Sequence, residues 1–171
     1  MQNRSIVLGS ALLTLFAVTI PAYSAMSSAD KQFMMNAART DMIEAHEGQL
    51  AADRATQSDV KDLAKTLVTD HTQDYEQLSV LAAKTGVKIP KGINAAKDPA
   101  IAQLNHLKGA GFDRQFTRDE IADHRREVAV FKRESEHGKD PDVKAYATQT
   151  LPTLQKHLQL AEQCEKPAKK S

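Results

Sequence analysis

Four long stretches in which apolar residues recur at helical spacing dominate the sequence. They run from about Ala29 to Thr56, from Ser58 to Thr85, from Phe112 to His137 and from Pro141 to Gln163. A helix with one apolar stripe buries that stripe against other helices. The chain also has few glycines and no tryptophan, a composition that suits helices. We therefore predict an all-α domain of four long helices.

The links between these helices differ in length, and this difference predicts the connectivity. Short links join the first helix to the second and the third to the fourth, so each pair must form an antiparallel hairpin. The link between the pairs is long, from Gly86 to Gly111, and Asp98-Pro99 predicts a short helix inside it that reaches Lys108. Two hairpins joined by a long crossover are typical of a ferritin-like antiparallel four-helix bundle.

Residues that begin or interrupt helices give further expectations. Ser58 is expected to cap the second helix, and Gly86 to end it. Asp140-Pro141 predicts a capped start for the fourth helix, with proline at the first helical position. Pro152 falls inside that helix and should bend it, because its ring clashes with the carbonyl four residues back.

The two predicted hairpins resemble each other in sequence. An offset of 83 residues aligns eight identical residues, among them Asp30 with Asp113, Glu44 with Glu127 and the Asp-Val-Lys that begins each second helix. The order of the matches respects the helix boundaries. This pattern indicates an internal duplication.

The amino-terminal segment, residues 1–25, has the pattern of a secretory signal. Arg4 precedes an uncharged apolar run, residues 6–20, which is short for a membrane span, and small residues favour cleavage after Ser24 or Ala25. We expect export to the periplasm, with association with the outer membrane left open. Residues 26–165 then form the bundle domain, and 166–171 form a basic tail.

Charge and cysteine usage exclude some partners and cross-links. The formal net charge of +1 falls to zero when Arg4 leaves with the signal. A neutral domain lacks the basic surplus that binding to nucleic acid requires. Cys164 is the single cysteine, so an internal disulfide is impossible. After signal removal we expect no membrane anchor, and an envelope protein partner remains an open expectation.

Polar residues interrupt the apolar stripe of every long helix near its middle. In the second helix, for example, Leu67 is followed in phase by His71 and Asp74 before Leu78 resumes the stripe. Counted from the hairpin turns, the polar positions of all four helices fall at a similar height. They comprise Asp41 and Glu44, His71 and Asp74, His124 and Glu127, and His157.

Buried unpaired, such groups would each cost several kcal/mol, so they must satisfy one another, hold water or bind something. Imidazole and carboxylate groups together bind Zn, Fe, Mn or Cu, and facing bundle helices are where such sites are built. We therefore predict a divalent transition-metal site formed by Glu44, His71, His124 and His157. Asp41, Asp74 and Glu127 are expected to be further ligands or to support the ligands.

Two other interpretations of these residues stay open. They could form a His–carboxylate network that sets helix register without metal, or lie at the solvated edge of the stripe. The literal Glu-x-x-His, from Glu134 to His137, lies near a helix end and is expected at the surface. His46 and Glu47 cannot both share the face of Glu44, and His46 is expected to point outward.

Several ordered motifs carry a family resemblance. The Val60–Ala64 segment, the Asp70-His71 pair, Phe112-Asp113, His124, and Leu151–Leu154 followed by His157 resemble the bacterial domain of unknown function 4142. Members are often labelled outer-membrane or periplasmic proteins. The resemblance implies a ferritin-like four-helix fold and an exported location, and it implies no established activity.

Two functional hypotheses follow, and neither assigns a catalytic residue. The first is an exported protein that binds a metal ion inside the bundle and is not an enzyme. The second is a scaffold or chaperone-like envelope protein that contains no metal. Chemistry of the di-iron oxidase type ranks third, because the paired Glu-x-x-His motifs of ferritin-like di-metal proteins are missing.

Overall fold

The computed structural model describes residues 26–165. The predicted signal segment, 1–25, and the basic tail, 166–171, lie outside the described residues. The long helices are α1 (Ser28–Arg54), α2 (Ser58–Thr85), α4 (Gly109–His137) and α5 (Pro141–Cys164). A turn of 3₁₀ helix (Ala95–Lys97) and the short helix α3 (Pro99–His106) lie between α2 and α4. The predicted all-α architecture of two hairpins and a crossover with a short helix is confirmed.

The crossover is long because it must travel the length of the bundle. Helix α2 ends beside the start of α1, whereas α4 starts beside the α1–α2 turn, roughly 40 Å away for a helix of this length. Tyr75 donates its hydroxyl hydrogen to the carbonyl oxygen of Pro90 at 2.8 Å, which ties the crossover to α2. Leu104 of α3 packs into the core at the far end. No helix within residues 26–165 is long and apolar enough to cross a membrane.

The helix ends follow the predicted chemistry with one correction. Gly86 adopts the left-handed conformation (φ 72°) that ends α2, and Asp140 accepts hydrogen bonds from the amides of Asp142 and Val143 to start α5. The predicted cap at Ser58 is wrong. The cap position is Gln57, whose side chain makes no capping bond. The backbone amide of Gln57 donates a hydrogen bond to the side chain of Asp113 in α4.

The apolar core forms two halves. One half lies near the α4–α5 turn and includes Phe33, Leu78 and Phe131. The other lies near the α1–α2 turn and includes Leu67 and Phe116. The buried polar residues lie between the two halves, at the middle of the bundle. This layer is where the sequence placed its candidate site.

Candidate metal centre

Three histidines from three helices meet in the polar layer. His71 of α2, His124 of α4 and His157 of α5 are 2%, 0% and 1% exposed. Their ring centroids form a nearly equilateral triangle with sides of 5.6, 5.2 and 5.1 Å. Each ring offers one nitrogen, and the three nitrogens lie within 4.8 Å of one another. Residues far apart in the chain therefore converge on one point.

The other nitrogen of each ring is held from outside the triangle. His124 Nδ1 lies 2.9 Å from the backbone carbonyl oxygen of Glu120. His157 Nε2 lies 2.8 Å from Oδ2 of Asp70, and His71 Nδ1 lies 3.0 Å from Oδ1 of Asp41. Oxygen acceptors in these positions orient the rings and select their tautomers.

The tautomers of His124 and His157 follow from these bonds. A carbonyl oxygen only accepts, so Nδ1 of His124 carries the hydrogen and Nε2 keeps its lone pair. In a neutral His157, Asp70 likewise takes the hydrogen of Nε2, which leaves the lone pair on Nδ1. These two bare nitrogens face each other at 3.2 Å. Two lone pairs at that distance repel unless a proton or a cation lies with them.

Burial favours the neutral form of all three rings. It lowers the pKa of His124 to about 4, with a further contribution from His157. Burial also lowers the pKa of His157, against the opposing effect of Asp70, and lowers that of His71 well below its ordinary value. A neutral imidazole is the form that binds a metal ion. Within residues 26–165, Nε2 of His71 has no hydrogen-bond partner.

Carboxyl groups surround the triangle unevenly. Oε2 of Glu127 lies 3.7 Å from Nε2 of His124, and Glu44, His124 and Glu127 form a second set of ligand atoms within 4.8 Å of one another. Burial raises the pKa of Glu44 to about 8, with a further rise from Glu127. Glu44 therefore lies beside the triangle, connected to it through His124.

Asp41 and Asp74 differ in their contacts. Asp41 is buried and bonded to His71, and burial raises its pKa well above the ordinary value, with further rises from Asp74 and Glu44. Asp74 accepts hydrogen bonds from the hydroxyls of Tyr146 at 2.6 Å and Thr150 at 3.0 Å. Asp74 is thus hydrogen-bonded to two side chains of α5. Among the described residues, no direct bond links it to a histidine of the triangle.

A cleft of about 160 Å³ between α2 and α5 leads to the triangle. His71 and His157 line it together with Asp70 and Asp74. Two carboxylates at the mouth favour the approach of cations. The imidazoles are therefore buried but lie at the end of a short polar path.

The structure brings together most of the residues that the sequence singled out. Their assignment as metal ligands stays a prediction. Sequence reasoning missed Asp70, although it directly precedes His71 in one of the family motifs. It also left the buried acids Glu47 and Glu120 out of the candidate site, although helical phase allows Glu120 or Ile121 to face the core; the two acids are 2% and 1% exposed.

The expectation for the Glu-x-x-His segment is half wrong. Glu134 is only 8% exposed, because it packs at the base of the α4–α5 turn beside Asp30. His137 is exposed, as predicted. The spacing placed both residues near a helix end, but it could not show that the turn folds back over one of them.

A family model matches most of the chain. The model described as "Domain of unknown function (DUF4142)" matches residues 17–164. The chain belongs to the DUF4142 family. The resemblance inferred from the motifs is thereby confirmed. No match to this DUF4142 chain was found among curated proteins.

Solved structures similar to this DUF4142 chain are helical bundles. A DUF305 fragment from Deinococcus radiodurans has a TM-score of 0.71 at 18% identity, covering 82% of this chain and 97% of the fragment. CopM in its Cu(I)-bound form has a TM-score of 0.66 at 16% identity, covering 78% and 93%. A conserved hypothetical protein from Mycobacterium tuberculosis has a TM-score of 0.64 at 13% identity, covering 80% and 97%. At these identities the likeness shows the fold alone.

Proposed function

We propose that this DUF4142 protein is exported and binds one transition-metal ion at His71, His124 and His157. The observation that carries the proposal is the 3.2 Å separation between His124 Nε2 and His157 Nδ1, the two nitrogens that neutral rings bonded to Glu120 and Asp70 leave without a hydrogen. Two imidazoles bound to one tetrahedral ion at about 2.0–2.1 Å have nitrogens roughly 3.3–3.4 Å apart. The observed separation fits two ligands of a shared ion.

The contacts around the triangle support the same proposal. Histidines that bind metals usually donate their other ring N–H to a carboxylate or a backbone carbonyl. Asp70 and the Glu120 carbonyl stand in these positions for His157 and His124, and Asp41 does so for His71. The Glu127 carboxylate, with Oε2 3.7 Å from His124 Nε2, is the candidate for a fourth ligand.

The donor set favours Zn or Cu over harder ions. Neutral imidazole suits Zn, Cu, Fe and Ni, whereas Mg, Ca and Mn prefer oxygen ligands. The similar bundle CopM was solved with Cu(I) and with Ag bound. We therefore propose that the site holds Cu or Zn and that the protein handles metal in the envelope.

The binding test uses untagged protein spanning residues 26–171, freed of metal with a chelator. Zn²⁺, or Cu⁺ under reducing conditions, is titrated against a competing chromophoric chelator, and stoichiometry is read by native mass spectrometry. We expect one ion per chain, and a loss of affinity of at least about 100-fold in the His71→Ala/His157→Ala variant. His137→Ala, at an exposed histidine of α4, is the matched control and should bind as the wild type.

Two outcomes would overturn the proposal. One is a wild-type protein that binds neither ion at a stoichiometry near one. The other is a double variant that stays folded and binds as tightly as the wild type. Either result would favour the metal-free alternative, in which a protonated His157 donates to His124 and the layer only sets helix register. In that case the double variant should be less thermally stable than the wild type, and its ion binding should not differ from that of the wild type.

Export is tested separately. The full-length chain is expressed in a Gram-negative host, and the intact mass of the protein in the periplasmic fraction is measured. We expect a mass that lacks residues 1–24 or 1–25. Recovery of the uncleaved chain in the cytoplasm would contradict this part of the proposal.

A further inference from the structure

A second cluster of ligand-type side chains lies beside the histidine triangle, between α1 and α4. Glu44 and Glu47 of α1 and Glu120 of α4 each offer one carboxylate oxygen, and the three oxygens lie within 4.8 Å of one another. Glu44 and Glu47 are three residues apart and share one face of α1, as helical geometry requires. All three side chains are at most 2% exposed.

The buried oxygens of this cluster lack partners. Neither side-chain oxygen of Glu120 has a hydrogen-bond partner among residues 26–165, and the same holds for Oε1 of Glu47 and Oε2 of Glu44. Leaving a buried polar atom unpaired destabilises a fold, because the atom loses its hydrogen bonds to water. Glu120 approaches Glu44, and its Oε2 lies 3.4 Å from Nδ1 of His124, so a proton shared with Glu44 is the metal-free way to satisfy Glu120. Oε1 of Glu47 has no such partner among residues 26–165, and the three convergent carboxyl groups are arranged as ligands.

The charged groups around the three glutamates also favour a bound cation. Burial raises the pKa of Glu47 to about 8, with further rises from Glu44 and Asp98. Arg126, which lines the cleft, forms an ion pair with Asp123 and only partly offsets the raised pKa of Glu44. Burial and mutual repulsion therefore oppose ionisation of these carboxyl groups, and a bound cation would remove both effects.

This cluster has its own route to the surface. A cleft of about 330 Å³ between α1 and α4 is lined by Glu44, Glu47 and Glu127, together with Asp98 and Asp123. The cleft that reaches the histidines opens instead between α2 and α5. In an antiparallel four-helix bundle these are opposite sides, so an ion can reach each cluster without passing the other.

We infer that Glu44, Glu47 and Glu120 form a second cation site that takes a hard divalent ion such as Mn²⁺. An ion with metal–oxygen bonds of about 2.1–2.5 Å spans roughly 4.2–5 Å between opposite ligands, which matches oxygens within 4.8 Å. An all-carboxylate donor set selects hard ions, whereas the imidazole triangle selects softer ones. The bundle thus presents two chemically distinct sites, one on each side of His124.

Mn²⁺ itself is the probe for the test, because free Mn²⁺ gives a six-line electron paramagnetic resonance signal that broadens on binding. Metal-free protein is titrated with Mn²⁺, and the titration is repeated on protein loaded with one equivalent of Zn²⁺. We expect one Mn²⁺ per chain in both. Glu47→Gln, and independently Glu120→Gln, should weaken Mn²⁺ binding at least tenfold. Glu76→Gln, at an exposed glutamate of α2, should stay within twofold of the wild type.

The same variants show whether each protein is folded and which of the two sites holds the ion. Gln matches the size of a protonated Glu and carries no charge, so circular-dichroism melting of both Gln variants should show intact bundles. His157→Ala should retain Mn²⁺ affinity within twofold while it loses Zn²⁺. A wild-type protein that binds Zn²⁺ but not Mn²⁺ would overturn the carboxylate site alone. A wild-type protein that binds Mn²⁺ but not Zn²⁺ would overturn the histidine site alone.

Three results contradict the inference directly. The wild type could fail to bind Mn²⁺ below millimolar concentration. Folded Glu47→Gln and Glu120→Gln proteins could bind it as the wild type does. Finally, His157→Ala could weaken Mn²⁺ binding as much as Glu47→Gln does, which would place the ion at the imidazoles.

Discussion

Asp30 and Asp113 each hold the hairpin turn of the other half of the bundle. Asp30, at the start of α1, accepts hydrogen bonds from the backbone amides of Lys139 and Asp140 at 3.3 and 2.8 Å. Asp113, at the start of α4, accepts from those of Thr56 and Gln57, each at 3.0 Å. The offset of 83 residues that aligns the two aspartates also aligns the amides that they hold. The two halves that are similar in sequence therefore also make equivalent hydrogen bonds to each other's turns.

The first prediction concerns the strength of these reciprocal bonds. Asp113→Ala should lower the free energy of unfolding by about 1–3 kcal/mol, because it leaves two amides of the α1–α2 turn without their charged acceptor. Urea denaturation followed by circular dichroism measures the change. Asp53→Ala, at an exposed position of α1, is the control and should change stability by less than about 0.5 kcal/mol. An Asp113→Ala protein as stable as this control would refute the role.

The second prediction is a pH dependence with a defined sign. Burial alone would raise the pKa of Asp30 and of Asp113, but the hydrogen bonds that each carboxylate accepts outweigh it and hold both pKa values below the ordinary value. Their contribution to stability is thus present above the unfolded-state pKa of about 4 and is lost as the pH falls through the folded-state values. Urea unfolding of the wild type between pH 5 and pH 2 should show this loss.

The matched comparison for the pH series is the Asp30→Asn/Asp113→Asn double variant. Without the two carboxylates, its stability should start lower at pH 5 and decline less steeply below pH 4. If the two proteins declined in parallel, the carboxylates at the turns would not be the groups whose protonation weakens the bundle.

The third prediction addresses the contacts that support the histidines. Asp70→Asn should reduce Zn²⁺ or Cu⁺ affinity by about 10- to 100-fold, because the amide no longer provides the charged acceptor that orients His157. Asp62→Asn, at an exposed aspartate of the same helix, should leave affinity unchanged. The competing-chelator titration measures both. Equal affinities in the two variants would show that Asp70 does not act on the proposed site.

The fourth prediction tests the close approach of α1 and α2. A Cβ atom on Gly48 would stand 3.0 Å from the carbonyl oxygen of Ala64 and 3.0 Å from Cγ2 of Val68. Gly48→Ala should therefore destabilise the protein by about 1–3 kcal/mol, although alanine favours helix by up to about 1 kcal/mol. Gly111→Ala in α4, where a Cβ meets nothing within 4 Å, should be neutral or stabilising. Urea denaturation that showed the same effect at both positions would contradict the packing argument.

Much of the fold could be predicted because it depends on local patterns. The helical spacing of apolar residues, Gly86 and the Asp140-Pro141 pair specify helices and their ends through interactions within a few residues. The length of the crossover then leaves few ways to assemble two hairpins. The cap of α2 was mispredicted by one residue, and the amides of Thr56 and Gln57 just before the helix are held by Asp113, a residue more than fifty positions away.

Part of the candidate site could likewise be predicted from local patterns, and part depended on packing. Periodicity alone determined that His71, His124 and His157 face the interior at a similar height, because helical phase and rise are local geometry. Which ring nitrogen faces which neighbour depends on how far each helix is rotated about its axis, and packing sets that rotation. Only the tertiary structure therefore paired Asp70 with His157 and brought Glu47 against Glu120.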